Sequence, residues 1–156
     1  MIIYYTRTQK SKIAAEALHD ITGLPLYALD SDIHEVKGIR FAWRAVRSII
    51  GSKGYPVKNM PKAIPSEVYL CGPIWVGEIA GPLKYFINQA DLSGKKVHML
   101  LTGIQPTEQN RESARKCLGK SGCQIGEIYL IATQKELPEK EVITEHLREM
   151  MEEANA

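Results

Sequence analysis

MIIYYTRTQKSKIAAEAL, residues 1–18, joins an apolar run to a knot of hydroxyls and cations, and the knot opens straight into a helical pattern. Met1–Tyr5 is short, apolar and partly β-branched or aromatic, as a buried strand requires. From Lys10 to Thr22, Ile13, Ala14, Ala17, Leu18 and Ile21 recur at spacings of three and four, one face of a helix. Gly23 suits its C-terminal stop. A strand running into a helix through TRTQKSK leaves two readings open. The first turn of a helix presents unpaired N–H groups and a positive dipole end, which together attract anions. Thr6, Thr8 and Ser11 would add hydroxyls, and Arg7, Lys10 and Lys12 positive potential. Alternatively, Thr8 or Ser11 simply caps the helix and the charges are solvated.

The same alternation continues along the chain. Leu24–Leu29 reads as a second strand and 38–50, GIRFAWRAVRSII, as a second helix. In that helix Ile39, Trp43, Val46 and Ile50 share one face, while Lys37, Arg40, Arg44 and Arg47 form a separate stripe. Residues 51–65 are loop-like, with Gly51, Gly54, Pro56, Pro61 and Pro65. Glu67–Cys71 is a third strand, and Pro82 opens a third helix that runs to Gln89. Lys96–Leu101 is a fourth strand and Thr107–Leu118 a helix. Gly122–Gly126 leads into a fifth strand, Glu127–Ala132, and 138–153 form a last helix. Five strands alternating with five helices predict an α/β, three-layer, doubly wound parallel sheet, with right-handed crossovers placing helices on both faces. The 156 residues suffice for one core, and nothing in 1–156 marks a domain boundary.

Composition narrows the function classes. A formal net charge of +2 is too small to argue for nucleic acid. The charge is uneven, however: residues 31–62 hold seven Lys/Arg against two Asp/Glu, and 136–153 hold seven acids against two bases. No apolar stretch approaches the roughly 20 residues of a membrane helix, so no integral membrane segment is expected. The three cysteines (Cys71, Cys117, Cys123) form no C-x-x-C pair, so neither a zinc site nor a thioredoxin-type motif is signalled; their odd count and a start without the basic and apolar regions of a signal peptide predict a cytoplasmic protein. Cys71 reads as a small buried hydrophobe. The scattered histidines argue against a metal site.

In a doubly wound sheet, ligands sit beyond the C-terminal strand ends, where strand order reverses. Three loops lie there: TRTQKSK, CGPIWVGEIAGP and LLTGIQPTEQN. In the second, Trp75 offers either a platform for a planar ligand or a cover for the core edge. In the third, Thr102, Gly103 and Gln105 offer a hydroxyl, close backbone approach and an amide.

These segments carry a resemblance. YYTRTQKSKIAAEAL resembles the phosphate loop of the flavodoxin-like family, a strand followed by T/S-x-T-G-x-T and a helix. GPIWVGEIAGPLKYFI with DLSGKKVHMLLTG resembles that family's segment from the third strand through the fourth. The resemblance implies strand order 2-1-3-4-5 and FMN as cofactor. It places Thr6, Thr8 and Ser11, with backbone N–H groups across Arg7, Gln9 and Lys10, on the phosphate. It places Pro73, Ile74, Trp75, Val76 and Gly77 along the isoalloxazine, with Thr102, Gly103 and Gln105 at its other edge. Gln9 departs from the family's glycine; a left-handed backbone there costs about 1 kcal/mol. The loop after the fourth strand has no aromatic, so one flavin face is open or covered by another subunit, as in a homodimer. The implied function is electron transfer with a redox partner protein. The alternative is an NAD(P)H-dependent FMN or quinone reductase, and a non-redox signalling module is a third reading. The arginine stripe reads as a solvated face, with docking to an acidic reductase or an anionic membrane as the other possibility.

Overall fold

The computed structural model describes residues 1–50 and 53–156, with the side chains of 34, 48 and 49 set aside. Gly51 and Ser52, the start of the expected loop, lie outside the described residues. Period-2 alternation in the strands builds the architecture. In β1 (Ile2–Tyr4), Ile2 and Ile3 point to opposite faces of the sheet and both are fully buried. Leu70 of β3 (Glu67–Trp75) and Met99 and Leu101 of β5 (Lys96–Gly103) join Ile3 on one face, with Leu83 and Phe86 of α3 (Gly81–Gln89) and Ala114 and Leu118 of α4 (Glu108–Gly119). Cys71 and Leu100 join Ile2 on the other, with Ala14, Ala17 and Leu18 of α1 (Lys10–Thr22) and Ile143 and Leu147 of α5 (Lys140–Asn155). Strands with both faces covered must be apolar nearly throughout, as these are.

The parallel sheet runs β2-β1-β3-β5-β6, with β2 at Leu26–Ala28 and β6 at Gln124–Ala132. Counted by parallel strands this is the expected order 2-1-3-4-5. Ile2 pairs with Leu26 on one side and with Tyr69 on the other, so the order reverses at β1. The loops after β1 and β3 therefore leave the sheet in opposite directions and open a crevice between them.

The structure departs from the expected elements in three places. First, β3 continues past Cys71 to Trp75, and a short antiparallel strand, β4 (Glu78–Ile79), folds back on it with Ile74 opposite Ile79 and Trp75 opposite Glu78. Pro73 reads as a strand stop because it has no N–H to give. Its carbonyl nevertheless accepts from Ala80 N at 3.0 Å, which closes the hairpin. Second, β6 begins at Gln124 rather than at Glu127. The ladder with β5 is irregular between Val97 and Met99, opposite Gly126. A Cβ at Gly126 would stand 2.6 Å from the His98 ring. Third, a 3-10 turn at Asp32–Glu35 carries Ile33 into the core.

Helix α2 (Gly38–Ile50) forms where expected, but its large apolar face is not turned inward. Phe41 and Ala45 face the protein, whereas Ile39, Trp43 and Ile50 are 76%, 71% and 79% exposed.

Candidate functional site

The joint after β1 has a left-handed turn at its centre. Gln9 precedes α1 with φ 68° and ψ −14°, a conformation that favours glycine. The turn leads into the first N–H groups of α1, at Lys10, Ser11 and Lys12, which have no helical partners. No acidic residue lies in that turn. Thr6 Oγ1, at the base of the loop, is buried and has no hydrogen-bond partner among the described residues. The hydroxyl of the preceding residue, Tyr5, shares that condition, in a side chain only 1% exposed. Burial pushes the Tyr5 phenol far up, so it stays a neutral donor. Buried hydroxyls without partners are uncommon and costly, and these two belong to consecutive residues at the strand end where ligands bind in such folds.

Arg7 Nε is likewise buried without a hydrogen-bond partner among the described residues, whereas Ser11 and Lys10 are engaged. The Ser11 hydroxyl faces the sheet, 2.7 Å from Thr102 Oγ1, and both side chains are buried. That contact ties the first loop to the end of β5. Cys71 Sγ donates to Ser11 O at 3.2 Å; the thiol is fully buried, and burial alone raises its pKa, as expected of a packed and unreactive cysteine. The Arg7 guanidinium lies 3.6 Å over the Phe41 ring, and Lys10 Nζ donates to the Gln134 carbonyl. Thr8 is exposed.

The second loop is a two-residue hairpin turn. Val76 and Gly77 both have positive φ, 50° and 81°, as a type I′ turn requires. Glycine meets that requirement freely; a β-branched valine meets it under strain. Val76 is also 73% exposed, so no packing rewards the strained position. The turn is held from outside. Asn110 Nδ2 donates to Gly77 O at 2.8 Å, while Asn110 Oδ1 accepts from Thr107 N at 2.8 Å. Asn110 thus closes the capping box of α4 with one end of its amide and fixes the hairpin tip with the other.

Ile74, Val76 and Gly77 of the hairpin, Gly103, Ile104, Gln105 and Pro106 of the loop after β5, and Asn110 line an open groove of about 280 Å³. Of the expected site residues, Ile74, Val76, Gly77, Gly103 and Gln105 meet in this groove. Thr102 lies beneath it, bonded to Ser11. Pro73 lies in β3 with its carbonyl in the hairpin. Trp75 stands edge-on to both Tyr5 and Phe41, at centroid distances of 5.7 and 5.1 Å, and partly buried against the core. Its ring therefore links the residue after β1 to β3 and α2. Three residues of the region escape a reading of the sequence: Tyr5, Ile104 and Asn110. Thr107-x-x-Asn110 is a legible variant of the capping box; its reach to Gly77 belongs to the tertiary structure.

No protein-family model matches the sequence, and no curated protein matches it either. Solved structures do match. A Bacteroides uniformis protein assigned as a flavoprotein superposes with a TM-score of 0.75 at 16% identity, over 95% of this chain and 96% of that one. A Lactobacillus acidophilus flavoprotein in complex with FMN gives 0.66 at 17% identity, over 83% and 90%. The two-electron reduced flavodoxin of Megasphaera elsdenii gives 0.53 at 12% identity, over the whole of both chains. With the strand order and the reversal at β1, these likenesses show that the chain has the flavodoxin-like fold.

Proposed function

We propose that this chain binds FMN at the crevice between β1 and β3 and passes electrons through it to a partner. The observation that carries the reading is the buried Thr6 hydroxyl, without a partner among the described residues, in the loop that enters α1. A dianionic phosphate would satisfy that hydroxyl, the Thr8 hydroxyl and the N–H groups from Arg7 to Lys12 together. In this reading Ser11 contributes through its backbone, because its hydroxyl is bonded to Thr102. The groove between the hairpin and the 103–106 loop would take the isoalloxazine edge, with Ile74 and Ile104 excluding water and Gln105 offering an amide. Trp75, fixed by Tyr5 and Phe41, would close the site toward α2. The bound flavin supplies one- and two-electron redox chemistry; the protein positions it and sets its surroundings. The Gly77 carbonyl, oriented by Asn110, is the polar backbone group that the hairpin tip brings to the groove.

A second reading, an NAD(P)H-dependent reductase, is favoured by one feature. The 103–106 side of the groove carries no aromatic, and Ile104 is 69% exposed, which leaves room for a second planar ring. Titration of the purified protein with FMN, followed by addition of NADPH, tests both. Stoichiometric uptake with a perturbed visible spectrum is expected, and a protein that takes up no FMN overturns both readings. Flavin reduction only through a partner reductase keeps the carrier; rapid direct reduction by NADPH assigns the enzyme.

A further inference from the structure

Helix α2 departs from what an amphipathic helix on a sheet protein normally does. Among the described side chains its inward contacts are made by Phe41 and Ala45, and Arg44 Nη1 donates to the Tyr55 hydroxyl at 3.1 Å, while Ile39, Trp43 and Ile50 stand in solvent along the opposite side. Ile39, Ala42, Trp43 and Val46 line a shallow, almost wholly apolar groove of about 220 Å³. Positions 39, 43, 46 and 50 form one continuous stripe about 16 Å long at helical rise. Arg40, Arg44 and Arg47 each sit one residue further on, so they flank that stripe along its whole length. The helix contains no acidic residue, and Lys37 precedes it.

We propose that α2 docks the protein onto an anionic lipid surface, with the Ile39–Trp43–Ile50 stripe in the headgroup–acyl boundary and the arginines on lipid phosphates. A short helix with a bulky apolar face, a tryptophan and a cationic flank has the chemistry of an in-plane interfacial helix, and indole favours that boundary. A second copy fits this face poorly. Pairing α2 with α2 brings six arginines around one seam with no carboxylate on either helix. One thirteen-residue helix also offers far less than the roughly 800 Å² per partner of a stable dimer. A bilayer needs no matching pocket, and its phosphates supply the opposite charge along the full stripe.

The placement has a consequence for the candidate site. Phe41, on the inward side of the same helix, touches Trp75 and the Arg7 guanidinium. Docking through α2 therefore holds the β3–β4 hairpin about one helix diameter, ~10 Å, from the lipid.

The test is sedimentation of the full chain with vesicles of phosphatidylcholine, with and without phosphatidylglycerol, at low and high salt. Binding is expected only with phosphatidylglycerol and should weaken with salt. R40Q/R47Q and, separately, Trp43→Ser should each weaken it about tenfold. These side chains are exposed, and circular dichroism of each variant confirms its fold. Brominated lipid should quench the fluorescence of the native chain and not that of Trp43→Phe, in which Trp75 remains. Failure to bind anionic vesicles at low salt overturns the proposal, as does binding that is indifferent to both variants. A dimer that Trp43→Ser dissociates, without vesicle binding, assigns the face to a second copy and also overturns it. None of these outcomes depends on bound FMN.

Discussion

Gln9 shows how one residue can be both misfit and necessary. Its backbone is left-handed where the chain enters α1, and for a residue with a Cβ that conformation costs about 1–2 kcal/mol. Glycine removes this cost but adds about 0.4–1 kcal/mol of unfolded-chain entropy. Gln9→Gly should therefore raise unfolding free energy by about 0.5 kcal/mol in denaturant titration, and a loss of stability would mean that the glutamine side chain contributes something of its own. Asn110 acts in the opposite way, as a residue whose two amide ends are both committed. Asn110→Ala frees the Thr107 N–H and the Gly77 carbonyl at once. We expect a loss of about 2 kcal/mol in the same assay, together with weaker FMN uptake, because the strained Val76–Gly77 turn then loses its tether.

Elements here are shaped by particular side chains at their ends. The start of β6 is one case. Glu127 N donates to His98 Nδ1 at 3.0 Å, so that nitrogen is the acceptor and Nε2 carries the proton it gives to Glu67 Oε1 at 2.8 Å. His98 also stacks on Tyr69, with centroids 4.5 Å apart. The ring needs the space that Gly126 leaves empty, and the irregular β5–β6 ladder is the result. The hydrogen bond from His98, and then that from Lys96, hold the Glu67 carboxyl below its ordinary value of 4.5. A carboxyl depressed in the folded state contributes stability above its unfolded pKa and loses it as pH falls through the lower folded value. Stability of the native chain should thus fall more steeply below pH 4.5 than that of Glu67→Gln. The difference will be small, since Glu67 is half exposed, and parallel pH curves for the two proteins would refute it.

At the scale of the whole molecule, one sheet lies between two apolar clusters, and the crevice forms at its reversal point. A ligand held there touches loops from β1, β3 and β5, so its binding free energy should stabilise the whole fold. At a free FMN concentration one hundred times its Kd, about 2.7 kcal/mol is expected, which raises Tm by several degrees. Riboflavin, which lacks the phosphate, should raise it distinctly less if the joint at Thr6–Lys12 is the phosphate cradle. Equal shifts would place the binding elsewhere.

The sequence by itself determined the alternation of strands and helices, because strand and helix periodicities are local and both faces of a parallel sheet must be apolar. It also located the first loop, since the N-terminal groups of a helix are open wherever the helix begins, and it marked Gln9 as the misfit. It did not determine that Pro73 lies inside a strand, that Gly126 serves His98, or that Asn110 reaches Gly77. Each of these depends on a neighbour many residues away. The stripe on α2 shows the limit most plainly: its period is that of an inward face, and only the tertiary structure decided that Phe41 and Ala45 face the protein while Ile39, Trp43 and Ile50 face out. Periodicity states that a helix has two sides; which side is buried depends on the surface it meets.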